Sequence, residues 1–224
     1  MRSTSEKAGH ASGRVRTHFH RKAFSFDRLY DEDHLVQRVL RPGLLRRREL
    51  ALSVVREYHA PRVLDVGCGP GRIGEAVLDA GAAFYVGVDF SEPMIALARE
   101  RLARHRGRVE LVTADILEAR LAERFDVVLA LGVFDYLPDA APYARRIAEL
   151  CRGSAVASFP RWNWLKGPIR KVRYELLNDC PIFDYAEEEL RSLFAGAGFA
   201  RVDVAEIGRT GYLVRADRRD DEPG

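Results

Sequence analysis

The chain reads as an α/β protein: a seven-stranded, mostly parallel sheet with one antiparallel C-terminal strand and helices on both faces. Three observations predict this. From Arg62 onward, short aliphatic runs alternate with helical segments, the pattern of βαβ units on a parallel sheet. The first run, Val63-Leu64-Asp65-Val66, ends in an acid and breaks into the loop Gly67-Cys68-Gly69-Pro70-Gly71. The last two runs are joined only by Gly208-Arg209-Thr210-Gly211, too short to return a strand in parallel, so they must pair antiparallel.

In chain order, residues 1–16 are small, polar and basic and are expected to form a tail. Residues 17–60 read as an N-terminal helical cap. Phe19, Ala23, Phe26 and Tyr30 fall at helical spacing, followed by Leu35, Val36, Val39 and Leu40. Pro42-Gly43 breaks this pattern, and Leu44 to Tyr58 makes a long helix with Arg46-Arg47-Arg48 near its start. The core spans 61–218. Its expected strands are Val63–Val66, Phe84–Asp89, Val109–Thr113, Phe125–Leu131, Ala155–Phe159, Val202–Ile207 and Tyr212–Arg215. Its expected helices are Ile73–Leu78, Glu92–Arg104, Ala141–Leu150 and Glu187–Ala195. Ser91-Glu92-Pro93 reads as a helix start, with Ser91 as the cap and Pro93 in the first turn. Residues 161–185 form a long insertion holding Trp162, Trp164, Lys166, Arg170, Lys171, Arg173 and Tyr174, which reads as a lid over a substrate. Residues 219–224 are a second polar tail.

Composition bounds the function. With 47% hydrophobic and 31% charged residues, the 224-residue chain has the balance of a soluble globular protein. A net charge of +3 argues against strong nonspecific nucleic-acid binding, while leaving room for a local basic patch. No run is apolar for long enough to span a bilayer, and no signal-peptide core is evident. Three scattered cysteines give neither a disulfide framework nor a metal cluster, so no metal is expected and a reduced, cytoplasmic setting is the default.

The chemistry gathers at the strand ends. Glycines after a buried strand let a ligand approach main-chain N–H groups, and the carboxyl edge of such a Rossmann-like sheet is where nucleotide-like ligands bind. Asp65 ends the first strand, Asp89 the second, and Asp115 follows the third. Asp89 is placed to accept both ribose hydroxyls of a nucleoside. Asp115 can accept from an adenine amino group, with Ile116, Phe90 and Met94 offering apolar faces to the ring. Asp65 can orient the loop or hold an ammonium through water. The ligand outlined has an amino acid, a ribose and an adenine, but no phosphate. Gly69-Pro70-Gly71-Arg72-Ile73-Gly74 also matches the G-x-G-x-x-G of dinucleotide-binding proteins; Asp65, Asp115 and the C-terminal hairpin weigh against that competitor.

Taken in order, Val63–Gly71, Gly87-Val88-Asp89, Ala114-Asp115 and Phe125-Asp126-Val127-Val128 resemble the successive motifs of class I S-adenosylmethionine-dependent methyltransferases. The resemblance covers roughly Val63 to Arg215 and implies S-adenosyl-L-methionine as cofactor. The implied binding set is Asp65, Gly67, Cys68, Gly69, Gly71, Asp89, Phe90, Met94, Asp115, Ile116, Leu131 and Gly132, with Cys68 a small buried residue of the loop and no nucleophile. A shorter run, His18-Phe19 through Leu29-Tyr30, is similar to the entry segment of magnesium-protoporphyrin O-methyltransferases, although the insertion does not match them. That similarity implies Tyr30 at the methionine end of the cofactor and His18 or His20 within reach of the acceptor.

The acceptor is expected near the end of the fourth strand, at Ala130-Leu131-Gly132-Val133-Phe134-Asp135-Tyr136, with Gly132 giving close backbone access, Asp135 as base and Tyr136 as positioner. An alternative role for the pair is a turn cap and packing beneath the lid. The segment lacks the Asn/Asp-Pro-Pro-aromatic motif of enzymes that methylate amino groups of nucleic acids or glutamine. The expected activity is therefore methyl transfer to a small organic acceptor, at oxygen before nitrogen or carbon, with the basic insertion favouring an anionic one. An RNA methyltransferase and a noncatalytic S-adenosylmethionine-binding module remain as alternatives, and the sequence leaves the oligomeric state open.

Overall fold

The two faces of the sheet are covered by different helices, and the strand alternation sorts every core residue to one of them. A computed structural model describes residues 42–161, 183–208 and 211–218. The elements are α1 (Pro42–Arg56), β1 (Arg62–Val66), α2 (Arg72–Asp79), β2 (Phe84–Asp89), α3 (Glu92–Arg101), β3 (Val109–Thr113), β4 (Phe125–Ala130), α4 (Ala141–Leu150), β5 (Cys151–Pro160), α5 (Glu187–Gly196), β6 (Arg201–Glu206) and β7 (Gly211–Asp217). Short 3₁₀ turns follow α3 at Ala103–Arg108 and β4 at Phe134–Tyr136. Val63, Tyr85, Val127, Leu129 and Val156 pack with Val55 of α1, Val77 of α2 and Ile95 of α3. Their strand neighbours Leu64, Val86, Val128 and Ala155 face Ile147 of α4 and Leu190 and Phe194 of α5. Both faces are buried, so the inner strands read as continuous apolar runs.

The strand order is β3-β2-β1-β4-β5-β7-β6. β7 is antiparallel to both β5 and β6, and the other pairings are parallel. This is the expected architecture. The order reverses between β1 and β4, and the carboxyl ends of the strands at such a switch point are where ligands of these sheets bind.

Several boundaries differ from expectation. Pro42 starts α1 instead of ending a preceding segment, because its missing N–H costs nothing in a first helical turn. α3 stops at Arg101, three residues short of the expected end, and tightens into 3₁₀ geometry before Gly107. β5 begins at Cys151, directly after α4; Arg152-Gly153 looks like a turn in sequence yet is extended here. Ser91 occupies the cap position of α3, but its hydroxyl makes no capping bond and is buried without a partner; its backbone N–H instead donates to Asp89 Oδ1 at 2.8 Å.

α1 is held to the sheet by charge as well as packing. Arg215 of β7 donates two bonds of 2.7 Å to Glu57, just past the helix. Tyr58 Oη lies 2.8 Å from Ser154 Oγ, which donates to Asp217 at 2.6 Å. Among the described residues, no helix is long and apolar enough to cross a membrane.

Candidate active site

The glycine loop turns from β1 into α2 with three residues in left-handed backbone conformation: Gly67 at φ 70°, Gly69 at 51° and Gly71 at 76°. Gly67 needs more than its dihedral freedom. A Cβ there would stand 2.4 Å from Cγ2 of Val133, so the β1 loop and the loop after β4 touch at this point. A Cβ on Gly71 would lie 3.2–3.3 Å from Ala98 of α3 and Leu102 just past it. Cys68 is buried, its thiol pushed well up by burial and by the carboxylates of Asp65 and Asp89, which agrees with a packing role.

Asp89 anchors this loop. Its Oδ2 accepts from Gly69 N at 2.9 Å and its Oδ1 from Ser91 N at 2.8 Å. A carboxylate at the end of a second strand is a group that can accept from the hydroxyls of a nucleoside. Phe90, next in sequence, is half-buried, whereas Met94 and Ile116 are each only 3% exposed; of the three expected apolar faces, Phe90 is the one with open surface. Asp115 performs a turn role and holds a second partner: Oδ1 accepts from Leu117 N at 3.0 Å, and Oδ2 from the Tyr143 hydroxyl at 3.0 Å. Tyr143 was not among the expected residues, and it fixes the acid's orientation from α4.

Asp65 is buried, 2% exposed, and receives the Tyr85 hydroxyl at 2.8 Å. Burial pushes its carboxyl up to about 7, against the pull of that hydrogen bond and with the Asp89 charge adding to the rise. Gly74, the third glycine of the dinucleotide-type pattern, has a packing reason instead: a Cβ there would lie 2.5 Å from Cζ of Tyr85.

After β4 the chain turns at Gly132, whose φ is 84°. Its N–H donates to Ser158 Oγ at 2.8 Å, and Arg47 of α1 donates to the same hydroxyl at 3.2 Å. The Arg47 guanidinium lies 3.5 Å from the point where a Gly132 Cβ would be. Arg47 and Ser158 are functional candidates that sequence reasoning missed. Arg47 stands in the run Arg46-Arg47-Arg48, and successive helix residues point about 100° apart. Arg46 and Arg48 are exposed while Arg47 turns in, so the three share no groove.

Asp135 and Tyr136 follow in the 3₁₀ turn, both half-buried, behind Phe134, which stacks on Phe159 with ring centroids 4.3 Å apart. The chain returning from the insertion lies along this turn. Phe183 N donates to the Asp135 carbonyl at 3.0 Å, the Tyr185 hydroxyl to the Leu137 carbonyl at 3.1 Å, and Tyr185 N to the Pro160 carbonyl at 3.3 Å. Leu131 is half-buried beside Gly132. Arg161, at the other root of the insertion, pairs with Glu206 at 2.7 Å and lies over Tyr212. His18, His20, Tyr30 and the basic residues 162–173 lie outside the described residues.

The residues fit the expected cofactor in two respects: a cradle at Gly67 that a Cβ would fill, and an acid at the end of β2 held against the glycine loop by Gly69 N. Comparison with known proteins agrees. Residues 63–153 match the methyltransferase domain family. The ubiquinone biosynthesis O-methyltransferase of Stutzerimonas stutzeri is 32% identical over 104 residues, 46% of this chain and 44% of that protein. Its counterpart from Pseudomonas fluorescens strain SBW25 is 36% identical over 104 residues, with the same coverage. The chain thus spans less than half the length of these curated relatives. Among solved structures, magnesium protoporphyrin IX methyltransferase from Synechocystis PCC 6803, with bound S-adenosylhomocysteine, superposes with a TM-score of 0.73 at 22% identity, covering 93% of this chain and 99% of that one. A Burkholderia thailandensis 1,6-didemethyltoxoflavin-N1-methyltransferase gives 0.71 at 20% identity, covering 95% and 91%. At such identities these likenesses speak to the fold. Residues 63–153 thus resemble the methyltransferase domain family, within a chain that shares the fold of solved S-adenosylmethionine-dependent methyltransferases.

Proposed function

We propose that this chain transfers a methyl group from S-adenosylmethionine to a hydroxyl of a small organic acceptor. The observation that carries the reading is Asp89, fixed by Gly69 and Ser91 at the end of β2 beside the left-handed glycine loop. Bound there, the cofactor would supply an electrophilic methyl group on sulfur. Asp89 would take the ribose hydroxyls, Asp115 the adenine amino group and Phe90 a ring face. Arg47, already within reach of Gly132 and Ser158, is suited to the carboxylate of the amino-acid end.

The acceptor would enter over Gly132 and the Asp135-Tyr136 turn, beside Phe183 and Tyr185. In-line displacement needs alignment above all. The cofactor would supply the methyl carbon to the acceptor oxygen, with the electron pair of the broken carbon–sulfur bond left on sulfur. The hydroxyl proton passes to the Asp135 carboxylate, with Tyr136 orienting the acceptor. Oxygen as the target is supported by the O-methyltransferase relatives over their 104 matched residues. An anionic acceptor remains the expectation from the basic insertion.

The test is transfer from methyl-labelled S-adenosylmethionine to a panel of small hydroxylated and amino compounds, with the methylated atom read by NMR. Label on oxygen, lost in Asp135→Asn, supports the reading. Label only on nitrogen or carbon moves it to another small-molecule class. Tight cofactor binding without transfer to any acceptor favours a noncatalytic module. Transfer to RNA with a steep salt dependence favours a nucleic-acid substrate.

A further inference from the structure

Asp65 and Tyr85 form a buried pair whose construction goes beyond packing. Asp65 shares its face of β1 with Val63, and Gly87 is its neighbour in register on β2. Tyr85, two residues before Gly87, brings its hydroxyl to Asp65 Oδ2 at 2.8 Å. The ring is fully buried, and two absent side chains make room for it. A Cβ on Gly74 would lie 2.8 Å from the phenol oxygen, and one on Gly87 would lie 3.1 Å from the ring. Burial and the facing acid push the phenol well above its ordinary pKa, so it stays a donor. No hydrogen bond reaches Asp65 Oδ1 among the described residues.

We propose that Tyr85 is a positioning residue for the cofactor: by holding one oxygen of Asp65, it presents the other to the ammonium of the amino-acid end of S-adenosylmethionine. The proposal rests on the cofactor reading above. It assigns the tyrosine a role that a phenyl ring filling the same space would not serve.

The consequence is a proton-linked affinity. Asp65 is faced by Tyr85 and Asp89 from β2 and by Cys68 from the glycine loop, while its register partner on β4 is Leu129. No cation pairs with it among the described residues. With its carboxyl raised to about 7, Asp65 is partly protonated at neutral pH. An ammonium favours the ionised form, so binding expels the proton and affinity rises as pH climbs through about 7. The Tyr85 hydroxyl also favours the ionised form. Its removal moves the Asp65 pKa higher and displaces the rise in affinity to higher pH.

The experiment is calorimetric titration of the native protein and Tyr85→Phe, between about pH 6 and pH 8. One ligand is S-adenosylhomocysteine, and the other is methylthioadenosine, which keeps the adenine and ribose but lacks the amino-acid end. Thermal melting checks that both proteins are folded. The proposal expects S-adenosylhomocysteine to bind about tenfold more weakly to Tyr85→Phe near neutral pH. Its pH profile should move upward, and methylthioadenosine should show neither change. Unchanged S-adenosylhomocysteine affinity in folded Tyr85→Phe, or equal losses for both ligands, overturns the proposal while leaving the cofactor reading intact. If the native protein binds neither ligand, the cofactor reading falls and the proposal with it. Should Tyr85→Phe fail to fold, Asp65→Asn must remove the pH dependence and keep methylthioadenosine binding; a pH dependence that persists there overturns the role.

Discussion

The β1–β2 side of the cleft and the β4–β5 side are held in different ways. On the first, the acids are oriented by near neighbours: Asp89 by Gly69 and Ser91, Asp65 by Tyr85 one strand away. On the second, the partners come from far apart in the chain. Ser158 joins Gly132 to Arg47, and Phe183 and Tyr185 bond to the carbonyls of Asp135 and Leu137. The first half is therefore set by a compact strand-loop-helix unit. The second depends on where α1 and Phe183–Tyr185 are placed, and under the proposed function acceptor choice would vary there without disturbing the cofactor. Loops on a rigid scaffold commonly divide labour in this way.

Substitutions in each half sharpen that contrast. The largest effect is expected from Asp135→Asn, which should lower kcat about a thousandfold if the carboxylate takes the acceptor proton, with cofactor affinity unchanged by calorimetry. A fall in cofactor affinity of similar size would mean that the halves are not separable. Gly67→Ala should weaken cofactor binding about thirtyfold, because its Cβ would collide with Val133 and the left-handed backbone at φ 70° adds strain. Gly74→Ala should reduce unfolding free energy by about 1–2 kcal/mol in denaturant titration. The Tyr85 ring stands 2.5 Å from the new Cβ, and this outweighs the gain in helix propensity.

The subtlest effect to read is a pH slope. The native protein keeps a proton on Asp65 up to about pH 7 that the unfolded chain releases near the ordinary carboxylate value of 3.8. Ligand-free stability should therefore fall as pH rises across that window, by at most about 1.4 kcal/mol per pH unit. Asp65→Asn should flatten the slope, and a slope of opposite sign in the native protein that this variant removes would contradict the raised pKa.

Much of the cofactor half was legible because its signals are local. A buried strand, an acid and three glycines sit within nine residues, and β2 and β3 have the bounds the sequence predicts. What escaped was packing at a distance. Tyr85 follows another aromatic residue, Phe84, and its ring was a signal only in combination with Gly74 and Gly87, whose missing Cβ atoms it exploits. Arg47 was hidden by Arg46 and Arg48, since only the placement of α1 on the sheet decides which of three adjacent arginines turns inward. Tyr143 reaches Asp115 from 28 residues away, a pairing that depends on α4 crossing beneath the third strand's loop. In the acceptor half, Asp135 and Tyr136 were placed correctly after β4, but their partners come from the chain beyond the insertion.

The central claim is that the β1–β2 edge is an S-adenosylmethionine site organised by Asp89. Calorimetric titration of native protein and Asp89→Ala with S-adenosylmethionine and S-adenosylhomocysteine tests it most directly. The account predicts that both ligands bind the native protein and that the folded variant loses about a hundredfold or more in affinity for each, as expected when a charged acceptor of two hydroxyls is removed. Native protein that is folded and binds neither ligand, or a variant that binds both as well as native does, would contradict it.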